Sequence, residues 1–489
     1  MSQLKTILTS ERDFFAKVAQ AAFLNPFSES RDELDRSLAG AGVERTAALD
    51  AVIARVADRS ALLRRALGGS LTRIPAADRE TVRTVLLFDL YHRFLNSFDR
   101  LIREQSAAGD IPCPVPFAGG FMAAFEEAGF FEAESRRYMA LFYQLRRAFY
   151  FIRQGLAGSS PSLRRMREHL WQTLFTHNIR WFDQYLWDRM EDFSVLILGE
   201  TGTGKGAAAT AIGRSGFIPF DPRTGRFSES FTRNFLAVNL SQYHEGVLES
   251  ELFGHRKGAF TGAIDHHEGV FSRCTPHGAI FLDEIGEVSL PVQVKLLQVL
   301  QERSFSPVGS HQRLRFSGRV IAATNRDLAT LRERGEFRDD FYYRLCSDVI
   351  TIPPLRQRLQ ERPDELGELV AGILKRLTGT APEREVQLLR KAIERETGKN
   401  YPWPGNVREL EQAVRRVLVT GHYRGEEKRA PSGETERFLA DVAAGGLDAQ
   451  ELLAGYCRIL YERHGTYEEV ARRTNLDRRT VKKYLQQGS

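Results

Sequence analysis

The chain has 489 residues, of which 42% are hydrophobic and 27% are charged, with a formal net charge of +6. These proportions exclude general disorder and predict a globular protein of about three domains. The mild basic excess is compatible with a nucleic-acid partner, and equally with solubility alone. The four cysteines lie far apart without metal-ligand spacing, which argues against a disulfide scaffold or a zinc site. The first residues carry charge too early for a signal peptide, and no apolar run approaches the ~20 residues of a membrane helix. We therefore expect a cytoplasmic protein with no membrane partner.

Residues 1–157 are predicted to form an all-helical domain. Ser60 is expected to begin a short helix that ends at Gly68. Two longer segments, 77–102 and 134–152, repeat apolar residues at helical spacing, with a glycine- and proline-bearing loop between them. Strands that end in acidic residues are not evident here, which argues against a phosphoacceptor domain.

Aromatic residues are concentrated near the end of this domain. They could line a ligand pocket, but a stripe of this kind more often forms hydrophobic core, and we favour the core. The residues concerned are Phe130, Phe131, Tyr138, Phe142, Tyr143, Phe149, Tyr150 and Phe151.

The sequence changes character after a linker-like segment at 155–162. Short, nearly continuous apolar runs alternate with helical stretches, as is typical of buried parallel strands. Strands interleaved with helices predict an α/β fold with a parallel sheet and helices on both faces. The runs are SVLILG (194–199), FLAVNL (235–240), AIFLDE (279–284) and RVIAATN (319–325).

A glycine-rich segment, GETGTGK, lies between the first of these strands and a predicted helix. This strand–loop–helix context is that of a phosphate-binding loop. The glycines let backbone N–H groups turn towards phosphate oxygens, and the helix directs the positive end of its dipole at them. Lys205 supplies a charge for the β- and γ-phosphates, so the segment predicts a nucleotide site. Its residues are Gly199, Glu200, Thr201, Gly202, Thr203, Gly204, Lys205 and Gly206.

Two carboxylates, Asp283 and Glu284, end the run AIFLDE, at the edge of the sheet where ligands gather. Asp283 is expected to hold Mg²⁺, directly or through water, and Glu284 to polarise the attacking water. Such a pair is usually only a solvated strand end, and the phosphate loop is what favours the functional interpretation. Gly206 stands where the motif normally has a Mg²⁺-binding Ser or Thr. Magnesium would then rely on water, phosphates and Asp283.

The hexapeptide GAFTGA lies between these two motifs. Its glycines bracket Phe260 and Thr261, so the loop can bend sharply and display an aromatic side chain. A displayed apolar residue suggests a partner surface, whereas spacing alone favours a loop that folds back and buries Phe260. The hexapeptide comprises Gly258, Ala259, Phe260, Thr261, Gly262 and Ala263.

These motifs together resemble those of sigma-54-dependent transcriptional activators, a branch of the AAA+ ATPases. The resemblance also rests on VNLSQ, LDEIGEVSLPVQVKLLQVLQE, ATNRDL, FRDDFYYRL and YPWPGNVREL, and it covers about 160–423 and the last 40 or so residues. It implies an AAA+ core with a helical lid that hydrolyses ATP with Mg²⁺. It also implies that Phe260 and Thr261 contact the sigma-54 RNA polymerase holoenzyme, which reverses the preference for a buried Phe260.

Further pocket residues follow from the same resemblance, position by position. Asn239 matches the switch asparagine that hydrogen-bonds the catalytic glutamate, here Glu284. Asn325 matches sensor I, which is placed to detect the γ-phosphate. Arg408 matches sensor II, at the start of a lid helix that Pro404-Gly405-Asn406 begins.

Arg338 and Arg344 match the family's arginine fingers, which reach the ATP of the neighbouring subunit. A planar guanidinium there can stabilise charge on the transferring phosphoryl group. Fingers that act between subunits imply a homo-oligomeric ring, expected to be a hexamer. The segment 218–234 is longer than the family pattern and is interpreted as a subfamily insertion.

The last 40 or so residues have the form of a basic helix-turn-helix. The basic residues of its second helix suit phosphate contact, and the first of them could read base edges. The preceding helix, 451–465, resembles the dimerising helix of Fis-type domains. The expected partner is double-stranded enhancer DNA; the alternative is a basic helical pair that only packs on the ring. The predicted DNA contacts are Arg478, Arg479, Thr480, Lys482 and Lys483.

The chain is thus predicted to have five parts, and its first part, preceding the ATPase, is expected to regulate it. Two other functions are weighed: a DNA-binding regulator whose ATPase domain is only structural, and another AAA+ machine such as an unfoldase. Intact pocket residues argue against the first, and GAFTGA with a helix-turn-helix argues against the second. The parts are a helical domain (1–157), an α/β ATPase subdomain (158–352), a helical lid (353–424), a linker (425–446) and a helix-turn-helix domain (447–489).

Overall fold

The computed structural model of the chain describes residues 2–398, 400–423, 435, 438–439, 441–442 and 445–486. The chain forms two compact units: residues 1–390 with 400–415, and residues 391–399 with 416–489. Most of the linker predicted at 425–446 lies outside the described residues.

Residues 2–157, here called the N-terminal region, are helical as predicted. The helices are joined by short connections, and their apolar faces form one buried cluster. They are α1 (Ser2–Ser10), α2 (Arg12–Phe23), α3 (Glu29–Ala39), α4 (Ala48–Leu67), α5 (Ala76–Arg93), α6 (Leu95–Ala108), α7 (Ala118–Glu127) and α8 (Glu132–Gly155).

The helix predicted to begin at Ser60 begins earlier. Ser60 is buried inside α4, which starts at Ala48, because Val52 and Val56 continue the buried stripe of the helix towards its amino end. The predicted end is correct: Gly68 caps α4 in the left-handed conformation, with φ 56°.

The single helix predicted over 77–102 is in fact two helices, α5 and α6, which meet at Phe94. The break lets the Phe94 ring pack against Phe117 and Phe121, with centroids 6.1 and 5.1 Å away. The predicted loop is also shorter than expected, because α7 begins inside the segment FAGG despite its two glycines.

The predicted parallel sheet is present, with strand order β4-β5-β8-β1-β9. All neighbouring strands in it are parallel. Two short antiparallel hairpins are inserted between its strands: β2–β3 lies between β1 and β4 in sequence, and β6–β7 lies between β5 and β8. The strands are β1 (Val195–Leu198), β2 (Phe220–Asp221), β3 (Arg226–Phe227), β4 (Phe235–Asn239), β5 (Ala279–Asp283), β6 (Ser304–Phe305), β7 (Leu314–Arg315), β8 (Arg319–Thr324) and β9 (Asp348–Thr351).

Helices cover both faces of the sheet, because successive residues of a strand point to opposite faces. On β1, Val195 and Ile197 join the core that continues into the N-terminal region, whereas Leu196 joins a second core on the other face. The helices of this subdomain are α9 (Pro161–Phe175), α10 (Ile179–Trp181), α11 (Lys205–Gly213), α12 (Glu245–Phe253), α13 (Val270–Arg273), α14 (Leu290–Glu302), α15 (Leu328–Glu333) and α16 (Asp339–Leu345).

The segment predicted to be a linker, 155–162, is held firmly in place. The backbone N–H of Ser160 donates to the Glu365 carboxylate at 2.6 Å, and Arg358 donates to the carbonyl of Ala157 at 2.7 Å. Arg358 and Glu365 are themselves a buried ion pair. The lid helices therefore hold this connection in place, and the N-terminal region and the sheet share one buried apolar cluster.

The segment 218–234, whose interpretation as a subfamily insertion stays a prediction, also joins these two parts. It contains the β2–β3 hairpin, and the Phe227 ring stacks on Tyr143 of α8 with centroids 4.2 Å apart. Phe231 is fully buried, and the N–H of Val115 donates to the carbonyl of Gly225 at 2.8 Å. The segment thus serves as a contact between the sheet subdomain and the N-terminal region of the same chain.

The lid helices and the carboxyl-terminal helices complete the described chain. The lid contains α17 (Leu355–Glu361), α18 (Glu365–Thr378), α19 (Glu383–Thr397) and α20 (Asn406–Thr420), and the carboxyl end contains α21 (Ala449–His464), α22 (Tyr467–Thr474) and α23 (Arg478–Gln486).

Candidate functional site

The predicted phosphate loop lies between β1 and α11. Gly202 (φ 79°) and Gly204 (φ 110°) adopt conformations that residues with side chains rarely adopt. A Cβ at Gly202 would lie 2.2 Å from the carbonyl oxygen of Gly405. Lys205 begins α11, is 7% exposed, and donates from Nζ to the carbonyl of Gly199 at 3.0 Å. Loop, helix N-terminus and amine together form an arrangement suited to phosphate oxygens.

Gly206 stands in open space: a Cβ built there meets no atom within 4 Å. Packing therefore does not demand glycine, and a serine or threonine would fit. Asp283, at the end of β5, supplies the hard oxygen ligands that Mg²⁺ prefers. The residues present fit a magnesium ion held by Asp283 together with water and phosphate oxygens.

Asp283 is the last residue of β5 and Glu284 follows it, at the carboxyl edge of the sheet. Asp283 lies opposite Asn239 on the neighbouring strand β4. Glu284 has φ 60°, a left-handed conformation that is uncommon for a residue with a side chain and is often found at functional sites. Its N–H donates to the Asp283 carboxylate at 3.1 Å. The side-chain oxygen of Asn239 accepts hydrogen bonds from Ser241, so its predicted bond to Glu284 stays a prediction.

A chain of hydrogen bonds connects Glu284 to the phosphate loop. The Glu284 carboxylate accepts from the backbone N–H of Asn325 at 3.4 Å. The side-chain amide of Asn325 in turn donates to the hydroxyl of Thr201 at 2.9 Å. The structure thus brings together the predicted catalytic carboxylate, the predicted sensor and the loop.

Asn406, at the start of α20, is a pocket residue that sequence reasoning assigned only to a helix start. It is fully buried with φ 52°, and its amide donates to the Glu200 carboxylate and to the carbonyl of Thr201, both at 3.1 Å. Its side-chain oxygen accepts from the N–H of Leu355 at 2.8 Å. Asn406 therefore connects the lid to the phosphate loop. In the sequence, this role was indicated by the asparagine of the segment PWPGN.

Arg408 and Arg356 also lie at this lid–loop contact. The backbone N–H of Arg408 donates to the carbonyl of Gly202 at 3.3 Å, which places the predicted sensor II residue beside the loop. Arg356 pairs with Glu200, and this hydrogen bond lowers the pKa of that carboxyl. Residues of the lid thus bind the carboxylate of Glu200 in the phosphate loop.

The two predicted arginine fingers lie away from this pocket within the chain. Arg338 precedes α16 and forms a two-point ion pair with Asp340, at 2.9 and 2.7 Å. Arg344, on α16, donates to the carbonyl of Leu300 at 2.9 and 2.8 Å. Action on a neighbouring subunit stays a prediction for both residues.

The GAFTGA hexapeptide forms a compact, exposed turn. The N–H of Gly258 donates to the carbonyl of Ala263 at 2.8 Å, and the N–H of Ala263 donates to that of Phe260 at 3.0 Å. Phe260 remains 45% exposed, with its ring edge near His255, so the alternative of a buried Phe260 is wrong. Ile264, immediately after the hexapeptide, is 75% exposed and was not singled out from the sequence.

Comparison with known proteins identifies the family. The Sigma-54 interaction domain matches residues 181–352, and the AAA+ ATPase lid domain matches residues 360–426. The Sigma54-dependent transcriptional activator SfnR of Pseudomonas putida is 38% identical over 283 residues, which cover 57% of this chain and 71% of that protein. The chain belongs to the sigma-54-dependent transcriptional activators.

Other members of the family match over different lengths. The transcriptional regulatory protein ZraR of Klebsiella oxytoca is 38% identical over 339 residues, 67% of each chain. The Nif-specific regulatory protein of Azotobacter vinelandii is 40% identical over 276 residues, 56% of this chain and 46% of that protein. The chain thus spans about half the length of the latter relative.

In this activator the two matched domains begin after the N-terminal region. Seven of the eight aromatic residues singled out there are buried or partly buried in its core, as favoured from the sequence, and the prediction is wrong for Phe131. Tyr138, Phe142 and Tyr143 are buried, whereas Phe131 is exposed. No helix within the described residues combines the length and the apolar character needed to cross a bilayer.

The carboxyl end of the activator contains the three helices expected of a helix-turn-helix with a preceding helix. Cys457, Leu460, Val470 and Val481 form their small core. Asn475 ends α22 with φ 54°, in the left-handed conformation that a tight turn requires. The three predicted helices are thus present, and their assignment as a Fis-type, DNA-binding helix-turn-helix stays a prediction.

The side chains predicted to contact DNA differ in whether they already have a partner within the chain. Asp477 accepts from the N–H groups of Arg479 and Thr480, and the Thr480 hydroxyl also donates to Asp477, which caps α23. Arg478 pairs with Glu468 at 2.9 Å. Arg479, Lys482 and Lys483 are exposed and present their charge to solvent; Lys482 and Lys483 lie further along α23.

Proposed function

We propose that this activator hydrolyses ATP in a ring assembly and thereby drives its GAFTGA loop against the sigma-54 RNA polymerase holoenzyme. Enhancer DNA would be bound by the carboxyl-terminal helix-turn-helix. The observation that carries the proposal is one subdomain that holds both a hydrogen-bonded nucleotide pocket and an exposed Phe260. The five-part division predicted from the sequence belongs to this proposal.

Each pocket residue has a role that its position supports. Lys205 binds the β- and γ-phosphates, and Glu284 orients and polarises the attacking water. Asp283 would hold Mg²⁺, which when bound supplies charge neutralisation at the transferring phosphoryl group. Arg338 and Arg344 of one subunit would reach the ATP of the next.

The path from pocket to loop is short. Asn239 lies opposite Asp283, and the chain runs from Asn239 through one turn into α12. Gly254 ends α12, and the hexapeptide follows after three more residues. A change in the hydrogen bonding of Asn239 on ATP hydrolysis can therefore shift the loop that carries Phe260.

ATP turnover tests the enzymatic part. Glu284→Gln keeps the shape of the side chain but removes the carboxylate, so we expect hydrolysis to fall at least ~100-fold. Binding of a fluorescent ATP analogue is expected to be retained. Equal hydrolysis by the variant and the wild type would eliminate the enzyme and favour a DNA-binding regulator with a structural ATPase domain.

Binding of sigma-54 tests the loop. A complex should form with an ATP transition-state mimic and be lost in Thr261→Ala. Thr420→Ala, the same change at an exposed position of lid helix α20, is the matched control and should bind as wild type. Equal loss in both variants would contradict a specific loop contact.

DNA binding is tested by its salt dependence. Arg479→Ala and Lys482→Ala each remove one exposed cation, and each should reduce the slope of log affinity against log salt by about 1. An unchanged slope in both variants would favour the alternative in which these helices only pack on the ring.

A further inference from the structure

A cavity of about 550 Å³ lies between helix α8 of the N-terminal region and the carboxyl end of α11. This volume is within the range of pockets that hold small molecules, roughly 300–1,000 Å³. Leu174, Trp187, Phe217 and Phe220 supply apolar walls, and Trp187 packs edge-on against Phe217 with centroids 4.6 Å apart. Such walls favour a flat, apolar body.

One buried polar group in this lining has no partner. Gln144 of α8 is 2% exposed, and its side-chain oxygen has no hydrogen-bond partner among the residues that the structure describes. Leaving such an acceptor unpaired is destabilising, so buried amide oxygens nearly always have a hydrogen-bond partner. A ligand that carries an N–H or O–H donor would satisfy it.

The neighbouring arginines Arg136 and Arg137 in the cavity lining differ in how strongly they are paired. Arg137 is bound to Asp183 at 2.5 Å. Arg136 makes a loose ion pair with Glu132 at 3.8 Å, and its side chain is 44% exposed. The lining also contains the carboxylates of Asp188 and Glu191. Arg136 is therefore the loosely paired, exposed cation of the lining that can receive an anionic group.

We propose that this cavity is a binding site for a small planar organic anion that carries a hydrogen-bond donor. The donor meets the oxygen of Gln144, the flat body lies between Trp187 and Phe220, and the anion meets Arg136. The cavity includes Ile212 and Gly213 at the end of α11, whose other end is Lys205 in the phosphate loop. Binding of this ligand in the cavity thus regulates ATP hydrolysis. This regulation rests on the proposed function, whereas ligand binding itself does not.

Two fluorescent probes test the binding on the full chain. 8-Anilinonaphthalene-1-sulfonate has a planar body, an N–H donor and an anion, and N-phenyl-1-naphthylamine is the same molecule without the sulfonate. We expect saturable binding of both at one site per chain, with the sulfonate tighter. Absence of saturable binding by the folded wild type would overturn the proposal.

A cavity-filling variant localises the site. Ala140 is buried in the lining, and Ala140→Trp should weaken both probes at least tenfold. Ala16→Trp, in the lining of a separate pocket formed by α2 and residues 177–180, is the matched control and should leave both affinities unchanged. Loss in the control with retention in Ala140→Trp would overturn the assignment.

Two milder variants keep the test valid if Ala140→Trp does not fold. Arg136→Glu changes an exposed charge and should weaken the sulfonate probe about tenfold but leave the neutral probe unchanged. Gln144→Leu should weaken both probes several-fold. An unchanged sulfonate affinity in both variants would contradict the proposal.

The proposed effect of ligand binding on ATP hydrolysis is tested by a separate measurement. Saturating sulfonate probe should change the wild-type ATP hydrolysis rate at least twofold, and this change should vanish in Ala140→Trp. A bound probe with no effect on the rate would refute the coupling. Probe binding to a chain that hydrolyses no ATP would instead refute the proposed function and leave the site intact.

Discussion

The amino and carboxyl ends of α11 differ in the groups that face the helix dipole. At its amino end the phosphate loop presents the positive end of the helix dipole, with Lys205 beside it. Just beyond its carboxyl end, Arg147 of the N-terminal region donates to the carbonyls of Arg214 and Gly216, both at 2.7 Å. One end is left for an anionic ligand, and the other is capped by a cation of the same chain.

The capping cation is deeply buried. Arg147 is fully inaccessible to solvent, lies 4.4 Å from the Tyr143 ring centroid, and burial lowers its pKa to about 10. Holding a guanidinium there is costly unless its donors are used. The carboxyl end of α11 is thus held rigidly by a buried cation, whereas the amino end is left open to a ligand. Substitutions at the two ends should therefore have different consequences.

The largest effect is expected at the amino end. Lys205→Ala removes the charge on the phosphates, so ATP hydrolysis should fall at least ~100-fold. The free energy of unfolding should change by about 1 kcal/mol, because only the hydrogen bonds from Nζ to the carbonyls of Gly199 and Glu200, at 3.0 and 3.5 Å, are lost. Steady-state turnover measures ATP hydrolysis, and denaturant unfolding measures stability. A large loss of stability with normal turnover would show that the amino end of α11 serves stability rather than ligand binding.

At the carboxyl end we expect the opposite pattern. Arg147→Met leaves the carbonyls of Arg214 and Gly216 unpaired, which should lower the free energy of unfolding by about 2 kcal/mol. Arg147→Lys keeps the charge with a single donor centre and should lose less. Urea unfolding of both variants is the measurement. Unchanged stability in Arg147→Met would show that the cap contributes nothing.

Lowering the pH should destabilise the N-terminal region, which packs against the carboxyl end of α11. His92, on α5, has its pKa lowered to about 4, first by burial and then by the cations Arg31 and Arg146. An unfolded histidine titrates near 6.5, so between pH 6.5 and about 4 the unfolded state binds more protons. Stability should therefore fall as the pH falls through this window. His92→Gln should flatten this slope, and an unchanged slope would exclude His92 as its source.

The smallest effect is expected from Gly206→Ser, again at the amino end. The added hydroxyl enters open space and can reach a magnesium ion, so half-saturating Mg²⁺ for ATP hydrolysis should fall a few-fold. Stability should rise by roughly 0.5 kcal/mol, because glycine is a poor helix residue. A higher Mg²⁺ requirement in the variant would show that this position must lack a side chain.

The sequence was sufficient for the ATPase subdomain because its chemistry lies in local motifs. The phosphate loop and the carboxylates after β5 occur within a few residues of a strand end, and the strands themselves are continuous apolar runs. The exposure of Phe260 needed the structure, since two glycines permit both a displayed and a buried ring.

Contacts between distant segments were not predictable in the same way. Asn406 binds Glu200 across about two hundred residues, and the segment 218–234 contacts α8 through Phe227 and Tyr143. Periodicity identifies which face of a helix is apolar but not which partner covers it. For the same reason the cap by Arg147 and the cavity beside Gln144 became visible only in the folded chain.

Promoter opening in vitro measures whether ATP hydrolysis by this chain acts on the polymerase through Phe260. The full chain, the sigma-54 holoenzyme, a promoter with its enhancer and ATP should yield open complexes with the wild type. Phe260→Ala should hydrolyse ATP normally yet open none, while Ile264→Ala, at the exposed neighbour outside the hexapeptide, should retain opening. Open complexes formed by Phe260→Ala at the wild-type level, or a wild type that hydrolyses ATP and never opens the promoter, would contradict the account.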